Sequence, residues 1–141
     1  MSINEIQDQI VSEFMEFDDW MDKYQMLIDM GNSKQPMDEK YKVDENLIEG
    51  CQSRVWLYAE ERNGLVTFVA DSDALIVKGI VMLLIRVLSG HTPAEILDAN
   101  LYFIQETGLQ EHLSPTRSNG LVAMVKQMRI YALAFKASEQ Q

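Results

Sequence analysis

The chain contains one cysteine, Cys51, and two histidines, His91 and His112. A lone thiol can act as a nucleophile through its thiolate. It cannot close an intrachain disulfide or build a multi-cysteine zinc site. Gly50 precedes it and Gln52, Ser53 and Arg54 follow. A glycine beside the thiol permits an unusual backbone and close approach by a partner. Arg54 is a nearby cation that can favour the thiolate. The competing reading of Cys51 is a small buried hydrophobe. A cysteine hydrolase needs a histidine and an orienting group beside the thiol in space. His91 sits in a Gly-His-Thr-Pro turn and is expected in solvent. His112 precedes Leu113-Ser114-Pro115 and is expected to cap a helix or face solvent. Neither lies in a local catalytic signature. No pair of histidines has metal-ligand spacing, so no metal is expected. Phosphate-cradling glycine loops are absent, and the nine methionines fall mostly at helical spacing, as core filler does.

The totals narrow the field further. The 141 residues fit a single domain spanning 1–141 and can bury a core without disulfides or metal. With 47% apolar and 24% charged residues, the chain is an ordinary globular sequence rather than a disordered one. The net charge of −10 disfavours binding to nucleic acid and to anionic membrane surfaces. The longest apolar run, Ala74 to Leu88, is interrupted by Lys78 and Arg86, too short and too charged to span a bilayer. No basic stretch leading into an apolar run opens the chain, so a reducing cytoplasm is the expected location.

Several elements must position the thiol. Ser2 and Glu5 form a capping box, and Ile3, Ile6, Ile10 and Phe14 follow at helical spacing. Asp18 or Asp19 can cap a second helix whose apolar face is Trp20, Tyr24, Leu27 and Ile28, with Gly31 as its left-handed end. Residues 32–46 read as a loop, with a short strand around Leu47 and Ile48. Arg54 to Glu61 and Leu65 to Ala70 are rich in β-branched and aromatic residues and flank Asn63-Gly64, which predicts a tight hairpin. Ser72 or Asp73 is expected to cap a central helix, Ala74 to Leu88. Thr92-Pro93-Ala94-Glu95 starts a short helix. A further helix is expected over Leu101 to Thr107, closed by Gly108, and a last one from about Ser118 to Ala137. The segregated strands and helices predict an α+β fold.

Four segments, in order, carry a family resemblance. Gly50-Cys51-Gln52-Ser53-Arg54-Val55-Trp56 resembles the GCQSxVW motif of the SufE family. Asp71 to Gly79 is similar to its DSDAxIVKG stretch. Leu113 to Leu121 is similar to LTPSRSxGL, with Ser114 where the family has threonine and Thr116 where it has serine. Trp20, Lys23 and Tyr24 match an early Trp-x-x-Lys-Tyr.

The resemblance implies a SufE/NifU-like α+β fold, a small antiparallel sheet with helices packed on it. It implies that Cys51 accepts a persulfide sulfur from a SufS-type cysteine desulfurase and passes it toward a downstream iron–sulfur cluster scaffold. A CsdE-type acceptor serving another desulfurase is the close alternative. Pyridoxal phosphate would belong to the partner, and this chain would need no cofactor. The resemblance further implies that Gly50 and Gln52 shape the thiol loop. Asp73 and Arg117 would hold that loop by hydrogen bonds in a pose that shelters Cys51. A stand-alone cysteine hydrolase, and a NifU-like cluster scaffold needing several thiolates, are the readings from other classes.

Overall fold

A computed structural model describes residues 1–33 and 36–139. Two helices open the chain, α1 (Ile3–Met15) and α2 (Trp20–Asn32). In α1 the Ser2 hydroxyl accepts the Glu5 N–H while the Glu5 carboxylate accepts the Ser2 N–H, as the capping box requires. Asp19 caps α2. Two single 3₁₀ turns, Glu39–Tyr41 and Asp44–Asn46, lie within the expected loop, of which residues 34 and 35 lie outside the described ones.

The hairpin follows. Strand β1 (Val55–Arg62) pairs antiparallel with β2 (Leu65–Ser72), from Val55↔Ser72 to Arg62↔Leu65. Asn63 and Gly64 both take positive φ, 55° and 79°, the geometry that matches the strands' own twist. The strand expected at Leu47 and Ile48 is reduced to one bridge, Leu47↔Trp56, backed by the Ile48 N–H on the Val55 carbonyl at 2.9 Å. The sheet among the described residues therefore has two strands.

Helix α3 (Leu75–Leu88) runs through the core; Ile80, Val81, Leu83, Leu84, Val87 and Leu88 are all buried. It begins one residue later than expected, with Ala74 as its N-cap. The Ser72 hydroxyl accepts the Ala74 N–H at 3.2 Å, while Asp73 is used elsewhere. Helix α4 (Pro93–Asp98) starts at its predicted capping box. The helix expected over Leu101 to Thr107 is a single turn, α5 (Phe103–Glu106), followed by a second turn, α6 (Leu109–His112). Gly108 separates them at φ 77°, and the Thr107 hydroxyl donates to the Phe103 carbonyl at 2.7 Å. Helix α7 (Pro115–Glu139) starts a turn earlier than expected, because the Ser114 side chain accepts the Arg117 N–H and Pro115 opens the first turn. The inner face of α7 is Leu121, Met124, Met128 and Ala132, and the Tyr131 hydroxyl ties it to the Leu57 carbonyl of β1 at 3.2 Å.

Glycine decides how closely α2 and α3 cross. Gly31 does not end α2 in a left-handed turn: the helix continues through it to Asn32. A β-carbon at Gly31 would lie 3.1 Å from the Gly79 nitrogen, and one at Gly79 would lie 2.2 Å from the Leu27 carbonyl oxygen. The backbones touch because neither position carries a side chain. Gly79→Ala must push the helices apart. The expected cost is roughly 1–3 kcal/mol of overpacking, net of alanine's helix-propensity advantage of about 1 kcal/mol. Urea unfolding measures this, and an alanine variant as stable as the parent would contradict the crossing.

Candidate functional site

Cys51 lies in the turn between the Leu47 bridge and β1. Gly50, at φ 92°, takes a backbone that a side chain would strain, and a β-carbon there would lie 3.3 Å from the Ala123 methyl of α7. The turn therefore runs directly against α7. The Cys51 thiol is half-buried and donates to the Gly120 carbonyl of that helix at 3.6 Å. A β-carbon at Gly120 would lie 3.6 Å from the sulfur, in ordinary contact, so the thiol sits directly over this residue.

Two spaces meet at the sulfur. The inner one is a cavity of about 20 Å³ whose walls include Val77 of α3 and Thr116, Arg117, Gly120 and Met124 of α7. It has room for one water-sized group. The outer one is an open depression of about 320 Å³ bordered by Gly50, Gln52, Thr116 and Asn119. A larger groove of about 680 Å³ lies on another face of α7, among residues such as Leu101, Ile104, Val125 and Ile130, and does not include Cys51.

Electrostatics hold the thiol neutral. Burial alone pushes the Cys51 pKa above the ordinary thiol range, because desolvation penalises the thiolate. The expected help from Arg54 is not seen. Its side chain is exposed and makes no hydrogen bond among the described residues, whereas its backbone is engaged.

Asp73 does bond to the thiol loop. Its carboxylate accepts the Arg54 N–H at 3.1 Å, and its own N–H donates to the Arg54 carbonyl at 3.3 Å. The Ser72 hydroxyl reaches the same carbonyl at 2.8 Å. The chain leaving Cys51 is thus stitched to the end of β2. Arg117 differs from its expectation as a hydrogen-bonding anchor. It borders the inner cavity, but its guanidinium has no hydrogen-bond partner among the described residues; its N–H is spent on the helix cap. Gln52 is exposed, and its side chain makes no hydrogen bond among the described residues.

Both histidines lie outside these walls. His91, expected in solvent, is buried at 8% exposure because its turn pairs with the first residues of β2. Its ring nitrogens face the Met1 carbonyl at 3.0 Å and the Leu88 carbonyl at 3.4 Å. The His112 ring contacts the Gly108 carbonyl through Nδ1 at 2.9 Å and stacks on Trp20. Neither histidine bonds Cys51, so the base that a cysteine hydrolase needs is not beside the sulfur.

Sequence reasoning missed Asp71, which has no role of its own there beyond opening the stretch Asp71 to Gly79. The residue is buried at 5% exposure and pairs with Lys42 at 3.0 Å and Lys78 at 3.4 Å. Burial raises its carboxyl pKa, but the bonds from Lys42 and the Ser72 N–H and the charge of Lys78 outweigh it, and the net shift is downward. It anchors the strand end from which Ser72 and Asp73 reach the thiol loop. Lys78, seven residues on in the same segment, was the available signal; Lys42 had none.

A half-buried single thiol, presented by the turn before a hairpin and sheltered by a helix of an α+β domain, defines a thiol-bearing protein with neither histidine bonded to the sulfur. Known proteins narrow this further. Residues 8–132 match the family model described as SufE, Fe-S metabolism associated domain. A SufE-like protein of Synechocystis is 40% identical over 131 residues, covering 93% of this chain and 82% of that one. One from Rhizobium etli is 41% identical, covering 86% of each. The chloroplastic/mitochondrial SufE-like protein 1 of Arabidopsis thaliana is 42% identical over 89% of this chain, which spans 34% of the plant protein. In fold, the chain resembles the solution structure of a Thermus thermophilus protein, with a TM-score of 0.75 at 21% identity over 92% of this chain and 94% of that one. The chain belongs to the SufE family, and its domain is associated with iron–sulfur metabolism. Among the described residues no helix is long and apolar enough to cross a membrane.

The desolvated thiol predicts its own pH profile. Iodoacetamide alkylation of the native protein should rise with a midpoint above that of the urea-unfolded chain. Asp73→Ala should speed alkylation about fivefold, as losing one hydrogen bond of about 1 kcal/mol would. A native midpoint at or below the unfolded one would contradict the burial argument, and an unchanged Asp73→Ala rate would contradict the stitch.

Proposed function

We propose that the chain is a sulfur carrier. Cys51 accepts the outer sulfur of a persulfide held on a partner cysteine desulfurase and releases it later to iron–sulfur cluster assembly. The observation that carries this reading is a single thiol set between a small cavity of about 20 Å³ and an open depression of about 320 Å³, with no histidine in either lining. With neither histidine bonded to Cys51, such a site lacks the imidazole base that a cysteine hydrolase uses to activate water. It can take one more atom.

The transfer is a thiol–disulfide exchange. Cys51 gives up its proton, and the thiolate attacks the outer sulfur of the partner's R–S–SH. A new S–S bond forms on Cys51 as the partner's S–S bond breaks, and the partner leaves as a thiolate. One cysteine suffices, since the product is a persulfide and not an internal disulfide. A later acceptor thiol repeats the exchange and restores Cys51.

Burial fits a carrier in its waiting state. A neutral, half-covered thiol is a poor target for oxidants, which react with exposed thiolates. The inner cavity is the size of the added sulfur's shelter. The partner must therefore draw Cys51 out, which the conformational freedom of Gly50 and the few bonds of residues 50–53 among the described residues permit. Gly50 and Gln52 are in this reading the residues that border the docking depression. Pyridoxal phosphate belongs to the desulfurase, and the reducing cytoplasm is the compartment in which a free thiol persists.

The test is stimulation of a purified SufS-type desulfurase supplied with cysteine and a reductant. The parent chain is expected to raise sulfide production several-fold and Cys51→Ser to leave it at the desulfurase's own rate. Equal stimulation by Cys51→Ser would overturn the assignment.

A further inference from the structure

Trp20 and Tyr24, at the start of α2, touch neither Cys51 nor its cavity, yet they grip the segment that leads into the cavity's wall. The indole of Trp20 stacks on the His112 ring at 4.0 Å between centroids and 11° between planes. Its edge lies over Gly108, where a β-carbon would meet Trp20 Cζ2 at 3.3 Å. The Tyr24 hydroxyl donates to the His112 carbonyl. Lys23 sits 5.0 Å above the indole from the same helix. Gly108 and His112 are thereby clamped, and the His112 N–H returns to the Gly108 carbonyl at 3.2 Å.

Two residues beyond the clamp, Ser114 caps α7. The first turns of α7 then supply Thr116, Arg117 and Gly120, three walls of the Cys51 cavity and the carbonyl that accepts its S–H. Further along, α2 meets α3 backbone to backbone at Gly31 and Gly79, and α3 supplies Val77, another wall. Helix α2 thus fixes the supports of both sides of the cavity: one through glycine contact, the other through an aromatic stack and one hydroxyl.

We infer that Trp20 and Tyr24 are positioning residues for Cys51: by clamping His112 they set the first turns of α7, and so hold the thiol in its sheltered pose. The role rests on the sulfur-carrier reading, in which shelter must be stable yet yield to a partner. It gives the Trp-x-x-Lys-Tyr segment a task in the sulfur chemistry though none of its side chains reaches the sulfur. The stack and the hydroxyl act at one end of a rigid helix whose other wall contacts remain unchanged, so loosening them should open the cavity without unfolding the chain.

Alkylation of Cys51 by iodoacetamide tests this without any desulfurase. Tyr24→Phe keeps the ring and removes one hydrogen bond. Trp20→Phe keeps an aromatic and weakens the stack. Each should accelerate alkylation about fivefold, the population shift that accompanies loss of an ordinary hydrogen bond. Glu13→Gln provides the control. It weakens the Glu13–Arg86 pair, 2.6 Å long, at the far end of α3 from Val77. Its melting temperature should fall as much as theirs, or more, with alkylation unchanged. Parent-like alkylation in both Tyr24→Phe and Trp20→Phe would overturn the inference. So would equal acceleration in Glu13→Gln, which would mean general loosening. Failure of the carrier reading would show separately, as undiminished desulfurase stimulation by Cys51→Ser.

Discussion

A thiol pressed against a helix backbone governs the site. Cys51 has given up part of its water for contact with α7, and the Gly120 carbonyl returns only a weak S–H bond at 3.6 Å. Burial favours the neutral form. The thiol is held in its neutral form by its own position. On the proposed carrier reading, reactivity must then come from movement, and the surrounding structure has to hold the resting pose firmly enough to protect and loosely enough to release.

The architecture supplies both. The hairpin end is rigid: Asp71 is locked between Lys42 and Lys78, and Ser72 and Asp73 grip Arg54. Helix α7 is tied to β1 through Tyr131 and to the α4–α5 connection through Arg129, whose guanidinium donates to the Ala99 carbonyl at 2.7 Å. Between these fixed points, the side chains of Cys51, Gln52 and Ser53 have one weak bond among the described residues, that from Cys51 to Gly120. The turn therefore moves at small energetic cost while its anchors stay. Asp71 also links this rigidity to pH. Its lowered pKa means that its ion pairs contribute fully above the ordinary carboxylate range and are lost as the pH falls through the lowered value.

Much of this was legible in the sequence where local chemistry decides the outcome. Asn63-Gly64 takes the positive φ angles that its residue types favour, and the boxes at Ser2 and Thr92 close as their spacing requires. The α+β class followed from the order of such local elements. What was not legible depends on partners distant in the chain. Gly31 looked like a helix end because its real constraint is Gly79, 48 residues on. His91 looked solvated because its turn gives no hint of the strand that covers it. The start of α7 was placed late because a proline at its first turn also reads as a break. At the site, the Cys51 segment stood out through family resemblance, and a lone thiol by itself would not have been distinguishable from core filler. Arg54 reads as a cation beside the thiol and Arg117 as a hydrogen-bonding anchor, but the structure uses the backbone of the first and the side chain of the second as a cavity wall.

The central claim is that this sulfur atom receives another. Intact-protein and peptide mass spectrometry, after incubation with a SufS-type desulfurase and cysteine, reads it directly. The account predicts a gain of one sulfur atom, mapped to the peptide holding Cys51 and removed by a thiol reductant. A chain that stays at its original mass while the desulfurase itself becomes loaded with persulfide would contradict it.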